Sequence, residues 1–280
     1  MDDAERTKAA DVLATAYRTR VAVAPLVETY PEVTVEDAYG VQQLQVRQWL
    51  AGGAALKGHK VGLTSAAMQR QLGVAQPDYG VLRDDMFHAE YAPIPVERFL
   101  QPRVEPEIAF VLRRDLAGPG VTVAEAAAAV DFVLPALEII DSRIRDWKIG
   151  ICDTIADNAS SGGVVLGATP TSLTAVDIRL SGCNLYGDGE LVATGAGGAV
   201  LGSPLLSLAW LANTVGRHGV VLRAGHVVLP GSVTAAQPVR PGSTWTAQFG
   251  GIGSVTARFG APASAGAGPG GTDESEERHG

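Results

Sequence analysis

The amino-acid sequence predicts an α+β fold that is mostly β, with a helical N-terminal region. Within the first 50 residues, apolar side chains recur at helical spacing from Val35 to Leu50, and Thr34 is a plausible N-cap for that helix. From about Lys60 onward the chain changes to short β-like runs that glycine, proline and aspartate interrupt. We therefore expect a helical region over residues 1–55 and a β-rich domain over residues 56–260.

The strands of the β-rich domain are predicted from runs of apolar and β-branched residues that end at turn residues. In chain order they are KVGLT from residue 60, VEPEIAFVL from 104, FVLPALEII from 132, GVVLG from 163, CNLYGDGELVATG from 183, HVVLPGSV from 226, TWTAQFG from 244 and SVTARFG from 254. The segment YGDGE inside the fifth run predicts a hairpin turn at Asp188 and Gly189.

Two helices are expected to interrupt the strands. Thr122 and Glu125 have the spacing of a capping box at the start of TVAEAAAAV. Ser203 and Pro204 are suited to the N-cap and first helical position of SPLLSLAWLANTVGRHG, and that helix should stop near Gly216 and Gly219. The low-complexity segment 261–280 is expected to be disordered.

Composition and charge exclude several classes of protein. The 280 residues carry a formal net charge of −8 without a basic patch, which argues against a nucleic-acid partner. No run approaches the length of a membrane span, and the acidic start does not have the pattern of a signal peptide. Cys152 and Cys183 lack the spacing of a zinc or redox pair. We expect a cytoplasmic protein.

The stretch QPRVEPEIAF places two acids inside an apolar run. Side chains alternate along a strand, so Glu105 and Glu107 should point to the same face. This face is either the water-exposed side of an amphipathic strand or half of a carboxylate site for a hard divalent cation. Glu138 lies in a second apolar run, where an unpaired carboxylate would be costly to bury. Arg143, Lys60 or a shared metal could each compensate it.

Several common catalytic signatures are absent. The sequence contains no H-E-x-x-H, G-x-S-x-G or P-loop motif, and TGAGGAVLG lacks the spacing of a dinucleotide-binding loop. The histidines at positions 59, 88, 218 and 226 are scattered, and we expect each to be an ordinary loop or surface residue.

Several long motifs in order resemble the 2-keto-4-pentenoate hydratases within the fumarylacetoacetate hydrolase superfamily, from about residue 20 to 260. The motifs are GHKVGLTS from residue 58, PDYGVL from 77, QPRVEPEIAFVL from 101, PALEIIDSRIRDW from 135, DTIADNASSGGVVLG from 153, AWLAN from 209 and VVLPGSVT from 227. The resemblance implies a mixed β-sheet roll of the fumarylacetoacetate hydrolase type, with 56–260 as the catalytic domain. It also implies a homo-oligomer, a pentamer or decamer.

The resemblance also implies roles for individual residues. By motif match, Glu105, Glu107 and Glu138 would bind Mg²⁺ or Mn²⁺. Lys60 and Asp78 would act as acid and base, although Lys60 could equally form a salt bridge and Asp78 cap a turn before Gly80. The match further assigns the substrate-binding role to Leu63, Ser160 and Ser232, the last being the weakest because a serine is common in turns.

The activity implied by the resemblance is addition of water to 2-hydroxypenta-2,4-dienoate, giving 4-hydroxy-2-oxopentanoate in the catabolism of aromatic or steroid rings. The stretch from Asp141 to Gly167 favours this five-carbon substrate. Two alternatives share the metal site: a 4-oxalocrotonate decarboxylase and a 2-oxohept-4-ene-1,7-dioate hydratase. A third alternative of a different class is a non-catalytic partner subunit that a metal stabilises.

Overall fold

The structure is a computed structural model, and it describes residues 1–261 except the side chains of Met68, Gln71 and Leu72. The segment predicted to be disordered therefore lies, apart from Ala261, outside the described residues. The predicted α+β class with mixed sheets is confirmed, and helix and strand each make up about a third of the chain.

Helices dominate the first 51 residues and recur between the strands. The helices are α1 Asp3–Thr19, α2 Leu26–Thr29, α3 Val35–Ala51, α4 Ala66–Leu72, α5 Val123–Ala129, α6 Ile151–Ala156 and α7 Pro204–Gly216. The predicted capping boxes at Thr34 and Thr122 are confirmed, since each hydroxyl accepts a hydrogen bond from the backbone three residues on. Ser203 is the N-cap of α7 by position, but its side chain makes no capping hydrogen bond.

The strands form two sheets. They are β1 Leu56–Gly62, β2 Asp78–Arg83, β3 Phe87–His88, β4 Pro93–Ile94, β5 Arg103–Leu112, β6 Val130–Ile140, β7 Ser161–Leu166, β8 Gly182–Gly187, β9 Glu190–Ala196, β10 Val227–Leu229, β11 Gln237–Pro238, β12 Thr244–Phe249 and β13 Gly253–Phe259. The first sheet has the order β2-β1-β10-β5-β6-β7-β3, with β11 added beside β5. The second has the order β4-β13-β12-β8-β9.

Strand direction is mixed in the first sheet. Strand β1 runs parallel to β10, whereas β5, β6 and β7 are successive antiparallel neighbours. The predicted hairpin joins β8 to β9, and Asp188 and Gly189 both have the positive φ that a tight two-residue turn requires. The sequence did not predict β2 or α6, although both lie within quoted motifs.

The main core lies between the two sheets. Val133 and Leu137 of β6 pack in one cluster with Trp245 of β12 and Val255 of β13. A separate cluster joins the N-terminal helices to a later segment, where Leu13 and Val41 pack against Ile155 of α6. The N-terminal helices are therefore anchored on the residues that precede and form α6. The division into domains at residues 55 and 260 stays a prediction.

One apolar segment corrects an expectation. Residues Gly197–Gly216 have the length and a mean hydropathy of 1.3 that would suit a membrane span, whereas the sequence predicted no such run. Within this segment Leu208, Leu211 and Val215 of α7 are fully buried in the main core. Its hydrophobicity is thus that of a helix packed inside the protein.

Candidate active site

Strands β5 and β6 bring three glutamates together. Glu105 lies directly opposite Glu138 in the antiparallel pairing, and Glu107 follows two residues along β5 on the same face. Each of the three offers a carboxylate oxygen, and these oxygens lie within 4.8 Å of one another. The prediction that Glu105 and Glu107 point the same way is confirmed, and the pairing adds Glu138.

Two of these three carboxylates are shielded from water, and Glu105 is half-buried. Glu107 and Glu138 are fully buried, so the face that Glu105 and Glu107 share is not the water-exposed side of an amphipathic strand. Glu107 Oε2 accepts a 2.7 Å hydrogen bond from the Gly231 N–H. Within the described residues, Glu107 Oε1 and both carboxylate oxygens of Glu138 have no hydrogen-bond partner. Unpaired buried carboxylate oxygens are the ligands that a hard divalent cation takes, so the residues fit such an ion.

Burial and mutual repulsion disfavour ionisation of the three acids. Burial, and then the neighbouring Glu138, raise the pKa of Glu105 to about 7. Burial and the same neighbour raise the pKa of Glu107 well above its ordinary value. The pKa of Glu138 is also raised, because burial outweighs the opposite charge of Lys60. A cation among them would allow all three to be ionised.

Lys60 is a cationic side chain in direct contact with one of the three glutamates. It lies on β1, is buried, and places its Nζ 3.4 Å from Glu138 Oε1. Nζ also donates a 3.0 Å hydrogen bond to the Ala159 carbonyl. Burial acts to lower the pKa of Lys60, but Glu138 and Asp78 outweigh it and the pKa is raised. Of the two side chains expected to compensate Glu138, Lys60 does so.

Arg143 has other partners. Its Nε lies 2.5 Å from Asp157 Oδ1, and both residues are fully buried. The guanidinium also donates to the carbonyls of Asp157 and Ser161, at 2.9 and 3.1 Å. Arg143 therefore holds the segment between α6 and β7 and does not neutralise Glu138.

Asp78 lies beside Lys60 at the start of β2. It is buried and pairs across the sheet with Gly62, so it is a strand residue and the turn-cap alternative is wrong. Its Oδ2 accepts a 3.1 Å hydrogen bond from the Thr154 hydroxyl, and burial raises the pKa of the carboxyl. A Cβ at Gly62 would lie 2.2 Å from Asp78 Oδ1 and 3.4 Å from Lys60 Nζ. A larger residue at position 62 would therefore displace the Asp78 carboxylate from this position.

Comparison with known proteins places the chain in a family. Residues 50–260 match the family described as Fumarylacetoacetate (FAA) hydrolase C-terminal. The chain belongs to the fumarylacetoacetate hydrolase family. It is 45% identical over 259 residues to the 2-keto-4-pentenoate hydratase of Paraburkholderia xenovorans (strain LB400), covering 92% of this chain and 96% of that protein.

Other relatives in this family differ in the substrate that their names give. The chain is 44% identical to a 2-oxo-hept-4-ene-1,7-dioate hydratase of Escherichia coli, covering 82% of this chain and 88% of that protein. The solved 4-oxalocrotonate decarboxylase from Pseudomonas putida G7, complexed with magnesium and adipate, is 37% identical with a TM-score of 0.90. That match covers 92% of this chain and 98% of the solved one. Family membership thus leaves the substrate to be argued from the site.

Ser160 is connected to the other site residues through Thr154. Its Oγ lies 3.5 Å from Thr154 Oγ1, which in turn reaches Asp78. Ser160 ends a turn in which Asn158, Ala159 and Ser160 all have positive φ, between 50° and 54°. Such backbone costs non-glycine residues roughly 1–2 kcal/mol each. Thr154 and Asn158 were not predicted as site residues from the sequence, although both lie in the motif DTIADNASSGGVVLG.

Leu63 and Ser232 lie beside the site on loops. Leu63 follows β1 directly after Gly62, has a positive φ of 56°, and its carbonyl accepts a hydrogen bond from Gln69. Ser232 follows Gly231, the donor to Glu107, but its hydroxyl donates to the Thr234 carbonyl at 2.8 Å. The Ser232 hydroxyl thus serves the local turn in this structure. Substrate binding by both residues stays a prediction.

His59 corrects another expectation. It is not a loop or surface residue but lies in β1 and is 1% exposed. Its Nδ1 has no partner among the described residues. Burial, and then His226, lower the pKa of His59 to about 3, so its imidazole is neutral at pH 7. His59 alternates with Lys60 along the strand and therefore points away from the three glutamates.

A cleft elsewhere on the molecule holds none of the candidate residues. It has a volume of about 450 Å³ and lies on the second sheet beside Asn184, Thr194 and Gln248. No lysine, histidine or acidic residue lines it. The arrangement that can perform chemistry is the one around Lys60, Asp78 and the three glutamates.

Proposed function

We propose that the protein is a divalent-metal-dependent hydratase that adds water to 2-hydroxypenta-2,4-dienoate and forms 4-hydroxy-2-oxopentanoate. The observation that carries the proposal is the group of three glutamates, two of them buried with unpaired carboxylate oxygens, beside a buried lysine and a buried aspartate. Relatives named 2-keto-4-pentenoate hydratase, at about 45% identity over nearly the whole chain, support the same reaction.

Glu105, Glu107 and Glu138 would hold Mg²⁺ or Mn²⁺. Three carboxylates leave positions open in an octahedral shell, as a catalytic site requires. A cation held there would supply Lewis-acid polarisation of the substrate. The complex of the related decarboxylase with magnesium supports this choice of metal.

The reaction requires two proton transfers to carbon. Ketonisation moves the proton of the C2 hydroxyl away and adds one at C5, which gives a 2-oxo-3-enoate. Water then adds its oxygen at C4, and a proton is added at C3. Lys60 and Asp78 are the side chains that we propose to move these protons.

The hydrogen-bond contacts of Lys60 and Asp78 are compatible with proton transfer. Lys60 Nζ carries three hydrogens and donates one to the Ala159 carbonyl, so hydrogens remain for the substrate while Glu138 Oε1 lies 3.4 Å away. Asp78 is held by Thr154 through one oxygen, so its carboxyl cannot rotate freely. Ser160 would contact the substrate carboxylate, with Leu63 packing against its carbon chain and Ser232 near the metal-binding end.

The second candidate function is decarboxylation of 4-oxalocrotonate. It is favoured by the TM-score of 0.90 to a decarboxylase whose complex contains adipate, a six-carbon dicarboxylate. A decarboxylase would use the same cation but would release CO₂ in place of adding water. The 2-oxohept-4-ene-1,7-dioate hydratase reaction differs only in the length and second carboxylate of its substrate. Product identity separates all three.

The test begins with metal-stripped protein and 2-hydroxypenta-2,4-dienoate, with and without Mg²⁺ or Mn²⁺. Loss of the diene absorbance would be followed, and the product identified by NMR. Metal-dependent formation of 4-hydroxy-2-oxopentanoate is the expected result. Turnover only of the six-carbon or seven-carbon dicarboxylate would assign that compound as the substrate in place of the five-carbon one. Inactivity on all three would favour a metal-stabilised partner subunit.

We also propose that the protein acts in the cytoplasm on small 2-hydroxydienoic acids, within aromatic or steroid ring degradation, and assembles as a homo-oligomer. Bacterial relatives named as hydratases support the proposed cytoplasmic role in degradation. Sedimentation of the purified protein would distinguish a pentamer or decamer from a monomer of 29.0 kDa.

A further inference from the structure

The turn made by Asn158, Ala159 and Ser160 is left-handed although none of its residues is glycine. All three are buried, with exposures of 0%, 2% and 4%. Left-handed backbone in successive non-glycine residues persists only where the surroundings hold it, and such turns concentrate at functional sites. The residues that hold this turn in its left-handed conformation are therefore candidates for a role in the active site.

Asn158 attaches the turn to strand β2. Its Oδ1 accepts a 2.8 Å hydrogen bond from the Val81 N–H, and its Nδ2 donates a 3.0 Å hydrogen bond to the Val81 carbonyl. Both backbone groups of one strand residue are thus bound by one side-chain amide. The backbone approaches closely as well, because a Cβ at Gly80 would lie 2.3 Å from the Asn158 carbonyl oxygen.

The turn presents its next carbonyl to Lys60. The Ala159 oxygen accepts the 3.0 Å hydrogen bond from Lys60 Nζ, and the same Nζ lies 3.4 Å from Glu138 Oε1. The direction of a carbonyl depends on the φ and ψ of its residues, so a change of the turn to right-handed backbone would point the Ala159 oxygen elsewhere. The ammonium of Lys60 would then keep only its acidic neighbour.

We propose that Asn158 is a positioning residue for the reaction: by binding Val81 it holds the left-handed turn, and the Ala159 carbonyl of that turn aims the Lys60 ammonium at the substrate. Asn158 itself touches no reacting atom. The inference rests on the proposed function, because it assigns Lys60 a part in proton transfer.

The test compares Asn158→Gly with Gln45→Leu. Glycine accepts the left-handed backbone but lacks the amide, so the variant removes the attachment to Val81 without straining the turn. Gln45 is a matched control because it is fully buried and its Nε2 donates a 2.7 Å hydrogen bond to the Ala156 carbonyl, close in sequence to the turn. Asn158→Gly should lower kcat about 10- to 100-fold while KM changes less than about threefold, and Gln45→Leu should leave both near wild type.

A double-mutant cycle shows whether Asn158 acts through Lys60. In the Lys60→Met background, which lacks the ammonium, Asn158→Gly should cause no further loss of kcat. A loss equal to that in the wild-type background would overturn the proposal, as would equal losses of kcat in Asn158→Gly and Gln45→Leu. If Asn158→Gly does not fold, Asn158→Asp provides the same test with a smaller expected loss, since it keeps the acceptor for the Val81 N–H.

A second readout does not depend on turnover. In protein labelled with ¹⁵N-lysine, the Lys60 Nζ resonance should shift in Asn158→Gly and stay in place in Gln45→Leu. An unmoved resonance would overturn the proposal even if activity fell. By contrast, absence of hydratase turnover in the wild-type protein would contradict the proposed function, and the Lys60 resonance would still decide whether Asn158 positions the ammonium.

Discussion

Glu105 and Glu138 lie directly opposite each other on the antiparallel strands β5 and β6. Like charges in this arrangement destabilise a sheet, and here Glu138 is also fully buried. Glu107 adds a third acid within 4.8 Å. A divalent cation between the carboxylates would replace their mutual repulsion by attraction to the cation, which explains why these strands keep three acids together.

Replacement of Glu107 by glutamine should abolish metal-dependent turnover without lowering the stability of the metal-free protein. The amide oxygen can still accept the hydrogen bond from Gly231, while one buried charge is removed. Mn²⁺ at 100 times its Kd should stabilise the wild-type protein by about 2.7 kcal/mol and the variant much less. Thermal unfolding with EDTA or Mn²⁺ measures both effects. Glu190→Gln, at an exposed position, is the control, and a full metal-induced shift in Glu107→Gln would contradict the assignment.

Replacement of Lys60 by methionine should lower kcat by roughly 10²- to 10⁴-fold, the range for loss of a general acid or base. Metal binding should persist because all three glutamates remain. Steady-state kinetics and titration with Mn²⁺ followed by electron paramagnetic resonance would separate the two properties. Lys57→Met changes an exposed lysine on the same strand and should be active. Full activity in Lys60→Met would remove Lys60 from the mechanism.

His59 should make the folded protein less stable as the pH falls below about 6.5. Its pKa is about 3 in the folded state, lowered by burial and then by His226, against about 6.5 in the unfolded chain. Between these values the unfolded chain binds the extra proton, so stability falls by up to about 1.4 kcal/mol per pH unit. Urea unfolding of wild type and His59→Leu at pH 7, 6 and 5 should show a shallower decline in the variant. Exposed His218, changed to glutamine, provides the comparison, and parallel curves for His59→Leu would refute the prediction.

Loss of Arg143 should cost far more stability than loss of a surface arginine. Arg143→Leu leaves the buried carboxylate of Asp157 without its partner, and removal of one member of a buried pair costs about 3–5 kcal/mol. Arg223→Leu breaks a 2.7 Å pair with Asp115 in which both side chains are largely exposed, and should cost about 0–1 kcal/mol. Chemical denaturation measures the free energy of unfolding of each variant. Similar losses in the two variants would contradict the structural role of Arg143.

Local features of the fold followed from the sequence because neighbouring residues decide them. Thr34 and Thr122 form capping boxes with residues three positions on, and Asp188 and Gly189 make a tight turn between two strands. The same locality explains why Glu105 and Glu107 could be placed on one face. It also explains a failure: His59 was expected at the surface because nothing nearby in the sequence shows that β2 and β10 flank its strand on both sides.

The sequence by itself determined the types of the long strands and helices, the shared face of Glu105 and Glu107, and, through its motifs, the resemblance to a family that the comparisons confirm. Only the tertiary structure decided that Glu138 faces Glu105, that Lys60 and not Arg143 contacts Glu138, and that Thr154 and Asn158 support the site. The physical reason is distance along the chain. Strand register and side-chain pairing between residues tens of positions apart depend on the packing of the whole molecule, which local propensity does not encode.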